Sequence, residues 1–169
     1  MENKNSFPQR KSMRLKSFDY SSTGAYFLTL CIQDRKNILS TVVGEGSPLP
    51  KLTNYGEIVD KWILKIPEKY EDYSIDTYVV MPNHVHILLS VMKNGGRGDP
   101  SPTVSNVVGW LKYQVTKEIN EIRGTAGTRV FQRTFWEHIV RNREDYYGIY
   151  KYILDNPKTW CYDKLYTEE

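Results

Sequence analysis

Cysteine is scarce in this chain of 169 residues, where Cys31 and Cys161 are the only two. Two thiols cannot make a disulfide framework, and neither stands in a CxxC or CxH pairing that would build a structural metal site. Both are expected to be reduced, buried or semi-buried thiols. Long hydrophobic runs are lacking as well. No stretch approaches the ~18 apolar residues needed to span a bilayer, and the N-terminus opens on polar and basic residues instead of a signal-type apolar stretch. The expectation is a cytoplasmic protein with no membrane partner. Charge of one sign is also in short supply: the formal net charge is +3, which by itself says little about a polyanionic partner. No internal repeat is present.

The distribution of charge says more than its sum. Arg10, Lys11, Arg14 and Lys16 fall within eight residues that contain no anion, whereas the last seven residues include Asp163, Glu168 and Glu169. A basic arm ahead of a domain is one way to reach phosphates, and it is equally a common solvated tail. With 40% hydrophobic and 25% charged residues, the chain reads as a basic arm over residues 1–20 followed by one domain over residues 21–169.

Apolar periodicity sets out the elements of that domain. Tyr26 to Ile32 is a short apolar and β-branched run bounded by polar residues, and reads as a buried strand. After a Gly/Pro-rich stretch from Gly44 to Pro50, Asn54 and Glu57 make a helix-start signature, with Ile58, Val59, Trp62, Ile63 and Ile66 at helical spacing and Pro67 as the stop. Ile75 to Val80 and His84 to Val91 predict a hairpin around Met81-Pro82-Asn83. Beyond the flexible Gly95 to Pro102 loop, whose Arg-Gly-Asp is read as chance, Val104, Val107, Val108, Leu111, Val115 and Ile119 trace a second helix. Gly124 to Thr128 breaks the chain, Arg129 to Val140 predicts one or two strands, and Asn142 caps a last helix closed by Pro157. Strand, helix, strand, strand, helix, strand, helix implies an α+β fold with an antiparallel sheet and helices on one or both faces.

Only three histidines are present, and two stand in the strand-like stretch Asn83-His-Val-His-Ile-Leu-Leu89. Strand side chains alternate, so His84 and His86 point one way and Val85, Ile87 and Leu89 the other. Two imidazoles on one face can grip a single divalent ion. An HxH is also compatible with two partly buried histidines that bind nothing. His138, on another strand-like segment, offers a third imidazole of the hydrolytic-zinc kind, which would activate water.

The nucleophile then becomes the deciding matter. In Asp145-Tyr-Tyr-Gly-Ile-Tyr-Lys-Tyr-Ile-Leu-Asp-Asn-Pro157, helical geometry puts Tyr146, Ile149, Tyr150 and Ile153 on one stripe that packs on the sheet. Tyr152 lies off that stripe, with Gly148 one turn before it and Asn156 one turn after. A phenol is a weak nucleophile unless a metal, a base or both assist it. Two imidazoles plus the Asn156 carbonyl would make a three-ligand site with open positions, and Tyr152 on the same helix would be fixed relative to the ion. An exposed helical tyrosine with a packing or solvated role is the alternative.

Pro82-Asn-His-Val-His-Ile-Leu-Leu89 resembles the His-hydrophobic-His motif of the single-tyrosine HUH transposases, in particular the REP-associated tyrosine transposases of bacteria. Arg14 to Phe27, Val107-Val-Gly-Trp-Leu-Lys112, Phe131-Gln-Arg, Phe135-Trp-Glu-His-Ile-Val-Arg-Asn142 and Tyr152-Ile-Leu-Asp-Asn-Pro157 are similar to further blocks of that family. The resemblance implies a ferredoxin-like HUH endonuclease fold, a homodimer, and Mg²⁺ or Mn²⁺ held by His84, His86 and Asn156, where relatives often carry glutamine at the last position. It implies that Tyr152 attacks single-stranded DNA near a hairpin, leaving a 5′-phosphotyrosine bond and a free 3′-hydroxyl. His138 then takes a structural role, and Arg10, Lys11, Arg14, Lys16, Lys112, Arg133 and Arg141 are candidate DNA contacts. A domesticated hairpin-DNA binder, a replication-initiator or relaxase nickase, and a three-histidine metallohydrolase are the competing readings.

Overall fold

A computed structural model describes residues 24–42, 49–92 and 102–168. The basic arm with Arg10, Lys11, Arg14 and Lys16 lies outside these residues, as does most of both Gly/Pro-rich loops. Four strands form one antiparallel sheet: β1 (Gly24–Cys31), β4 (Tyr73–Val80), β5 (His84–Val91) and β6 (Trp136–Val140), in the order β4-β5-β1-β6. With α1 (Asn54–Leu64) after β1 and α3 (Val104–Arg123) after β5, this is the βαββαβ arrangement of a ferredoxin-like fold. A two-stranded ribbon, β2 (Ser40–Thr41) with β3 (Lys51–Leu52), and the four-residue helix α2 (Ile66–Lys69) decorate the first crossover. A last helix, α4 (Arg143–Asp155), continues into a 3₁₀ segment, Asn156–Tyr162.

Strand alternation divides the apolar residues between two layers. Tyr26, Leu28, Leu30, Val85, Ile87, Leu89 and Val91 face α1 and α3, meeting Val59, Ile63, Val107, Leu111, Val115 and Ile119 in the main core. Phe27, Val79, Met81 and Leu88 face the other way, where Ile153 of α4 and Trp160 cover them. Helices therefore sit on both faces, with the tyrosine helix and the 3₁₀ segment that follows it on the second. Tyr146, Ile149 and Tyr150 pack against that smaller cluster beside Ile153, the stripe expected from helical spacing.

Several boundaries fall differently from the sequence expectation, each for a local reason. Thr53, not Asn54, caps α1: its backbone is extended and its Oγ1 accepts the Gly56 amide at 3.2 Å. Gly56 is needed beside it, since a Cβ there would lie 2.0 Å from the Leu39 carbonyl oxygen. Pro67 does not stop α1, which has already ended at Leu64; it sits in the first turn of α2, where its missing N–H is harmless. Arg129 to Val140 yields one strand, within the one or two expected, and Phe131 adds a single bridge to Ile32. The Asn142 cap holds as expected, its side chain accepting the Asp145 amide at 2.8 Å. Cys31 is half-buried, but Cys161 is exposed on the 3₁₀ segment, against the expectation of burial.

Candidate active site

The face of β5 that turns from the main core carries His84 and His86, which are 0% and 3% exposed. Their Nε2 atoms lie 3.1 Å apart. Each ring is fixed from behind. His84 Nδ1 meets Asn83 Oδ1 at 2.9 Å, and His86 Nδ1 meets Thr29 Oγ1 at 2.8 Å from the neighbouring strand. The Asn83 amide nitrogen is engaged with Leu165 O and Thr167 Oγ1, so its oxygen faces His84 and can only accept. His84 thus carries its hydrogen on Nδ1 and turns the Nε2 lone pair toward its neighbour. Thr29 can accept from His86 Nδ1, which frees the second Nε2 in the same way. Burial, reinforced at His84 by the nearby Arg35 and at His86 by His84, holds both imidazoles neutral, well below the usual histidine range. Two lone pairs about 3 Å apart match neighbouring corners of an octahedral ion with bonds of about 2.1 Å.

Helix α4 delivers Tyr152 to this pair. The residue is 45% exposed, yet its hydroxyl turns inward and stands 3.4 Å from His86 Nε2. Phe27 and His86 meet the ring edge-on, with centroids 5.9 and 5.3 Å away, and so limit its swing. Burial of the hydroxyl end, then the Asp163 carboxylate, raises the Tyr152 pKa to about 12; the Asn156 amide pulls weakly the other way. Asn156, one turn on, is 2% exposed. Its Nδ2 donates to Asp163 Oδ2 at 2.7 Å, while its Oδ1 is buried with no hydrogen-bond partner. A buried acceptor without a partner, on a residue that lines the same cleft as His86, is a group that a cation could satisfy. Asp163 was not anticipated as a functional residue; with His84 and His86 it offers ligand atoms that all lie within 4.8 Å of one another. His86, Tyr152, Asn156 and Asp163 line one cleft of about 650 Å³, whose mouth is flanked by Trp136, Tyr162 and Lys164.

Residues 21–141, well over half the chain, match the family described as Transposase IS200 like. The chain belongs to the IS200-like transposase family. It is 30% identical to an uncharacterized protein of Haemophilus influenzae over 94% of each chain, and 25% identical to the REP-associated tyrosine transposase of Escherichia coli K12 over 82% of this chain and 68% of that one. Among solved structures, that of a REP-associated tyrosine transposase bound to a REP hairpin shares the fold, with a TM-score of 0.57 and 23% identity over 89% of this chain and 77% of that one.

In this IS200-like chain the remaining predicted residues do not all gather at the cleft. His138 bonds Asp145 Oδ2 through Nε2 at 2.8 Å and ties β6 to the first turn of α4, leaving the histidine pair without a third imidazole. Lys112 donates to the carbonyls of Gln132 and Thr134 at 2.9 and 3.0 Å, and burial lowers its pKa to about 8. Arg133 is exposed and lines a second cleft with Lys112, Lys117 and Arg129, whereas Arg141 is exposed at the opposite end of β6. Among the described residues no helix is long and apolar enough to cross a membrane.

Proposed function

We propose that this family member is a metal-dependent endonuclease and strand transferase for single-stranded DNA, with Tyr152 as nucleophile and His84, His86 and Asn156 as ligands of Mg²⁺ or Mn²⁺. The observation that carries the reading is the Tyr152 hydroxyl, 3.4 Å from Nε2 of His86, with the unpartnered Asn156 oxygen one turn on at the C-terminal cap of α4. When bound, the cation polarises the scissile phosphate. Tyr152 then forms an Oη–P bond as the P–O3′ bond breaks, and the phenolic proton is balanced by the one gained at the released 3′-oxygen. The product is a 5′-phosphotyrosine and a free 3′-hydroxyl, which can reverse or rejoin the cut. Phe27 and His86 pack edge-on against the phenol ring and limit its swing, so less entropy would be lost on attack.

Hairpin DNA as partner is supported by likeness to the relative bound to a REP hairpin, with Arg133, Arg141, Lys112 and the arm residues Arg10, Lys11, Arg14 and Lys16 as phosphate contacts. A homodimer and a cytoplasmic location belong to the same reading. The test is incubation of the protein and Mn²⁺ with single-stranded oligonucleotides carrying the short inverted repeats that flank its gene, followed by a denaturing gel. Covalent protein–DNA adduct is expected for the wild type and none for Tyr152→Phe, which should still bind Mn²⁺. Undiminished cleavage by Tyr152→Phe would point instead to water as the nucleophile and would end this reading.

A further inference from the structure

We propose that Asp163 is a further metal ligand, supplied by the C-terminal segment, and that Asn83 locks this segment to the histidine pair, so that cation binding and the seating of residues 163–167 are one event. The inference rests on the cation site proposed above and adds to it a ligand from outside the strand and the tyrosine helix. Asp163 follows the 3₁₀ segment, and its Oδ2 meets two donors, Nδ2 of Asn156, which caps α4, at 2.7 Å and the Tyr152 hydroxyl of α4 at 3.4 Å. Among the described residues no lysine or arginine forms an ion pair with it. A carboxylate has thus been brought to within 4.8 Å of two buried, neutral imidazole nitrogens, next to a buried amide oxygen that lacks a partner. Three neutral ligands alone bind a hard divalent ion weakly; an anionic oxygen supplies the charge such ions prefer.

The segment is held by contacts that converge on Asn83. Its Nδ2 donates to Leu165 O at 2.9 Å and to Thr167 Oγ1 at 3.1 Å, while its Oδ1 sets the ring of His84 at 2.9 Å. One buried amide therefore grips a ligand with its oxygen and the carrier of another with its nitrogen. Leu165 N donates to Asp163 Oδ1 at 2.6 Å, which aims Oδ2 at the cleft, and Asn37 Nδ2 donates to Thr167 O at 3.1 Å. Trp160 fills the space between His84 and Tyr166, with centroids 5.7 and 5.2 Å away. Asn83 is a positioning residue in this scheme, and Asp163 touches the ion.

Mn²⁺ binding to the full chain, read by electron paramagnetic resonance of the free ion, tests the proposal without DNA or turnover. Asp163→Asn and Asn83→Ala should each weaken Mn²⁺ binding by on the order of tenfold or more. In the wild type, Mn²⁺ should slow hydrogen exchange at the amides of residues 163–167, and Asp163→Asn should lose that protection. His86→Ala, expected to bind no Mn²⁺, is the control. If the wild type binds Mn²⁺ and His86→Ala does not, but Asp163→Asn binds within about twofold of the wild type, Asp163 is no ligand and the inference alone falls. Equal exchange of the segment with and without Mn²⁺ overturns it too, and needs no variant. A wild type that binds no Mn²⁺ removes the proposed cation site itself, and this inference with it.

Discussion

An imidazole sealed from water resists protonation, because the imidazolium it would become loses its hydration. Burial first, then Arg35 beside His84 and His84 beside His86, brings both folded-state pKa values down to about 3. In the unfolded chain each histidine titrates near 6.5. The unfolded state therefore takes up protons that the folded state refuses, and stability falls as the pH drops from about 6.5 toward 3, by at most about 1.4 kcal/mol per pH unit for each ring. Urea titrations in chelator across that window should show the loss, and His86→Gln should flatten it; parallel curves would contradict the assignment. Much at this scale was legible in the sequence. Two-residue spacing placed His84 and His86 on one face; helical offset left Tyr152 either a packing residue or a nucleophile, and only the family resemblance favoured it with Asn156. Asp163 was not legible, because no periodicity runs through its segment. It is brought in by tertiary bonds from Asn83, whose partners lie far along the chain.

At the scale of elements, α4 is the part on which positioning depends. It packs on the sheet through a small apolar cluster, and its first turn is secured by the Asn142 cap and the His138–Asp145 bond. Asn142→Ala should lower stability by about 1 kcal/mol, while Asn142→Asp keeps the cap and should stay near the wild type. Chemical denaturation decides between them, and equal midpoints for the Ala and Asp variants would mean that the cap contributes nothing. Elements with strong periodicity, such as α3 and β5, were readable to within a few residues. The stretch from Arg129 to Phe135 was less so: its β-branched and aromatic content suggests a strand, but it forms only the Phe131–Ile32 bridge beside the end of β1, with Val130 and Phe131 buried in the main core and the carbonyls of Gln132 and Thr134 taken by Lys112. Propensity there yields to tertiary contacts.

For the whole molecule, a cation shared by β5, α4 and the C-terminal segment would join the second layer to the sheet. A ligand that binds only the folded chain at about a hundred times its dissociation constant adds about 2.7 kcal/mol, which for a domain of this length raises the melting temperature by about 5–10 °C. Scanning calorimetry with Mn²⁺ and with chelator should show that rise in the wild type and none in His86→Ala; an equal rise in both would place the ion elsewhere. An α+β fold with an antiparallel sheet was readable from the order of elements alone, whereas its ferredoxin-like arrangement was implied only by the family resemblance.

Strand β5 is paired along its length on both sides, Val85 with Leu30 and Val80, His86 with Thr29 and Val79. One residue inserted into it would send the imidazoles into the oily layer beneath α1 and α3 and bring Val85 and Ile87 out beside Tyr152. Folding and the proposed metal site therefore share a single reading frame of side chains, and an insertion or deletion in the central strand would remove both at a stroke.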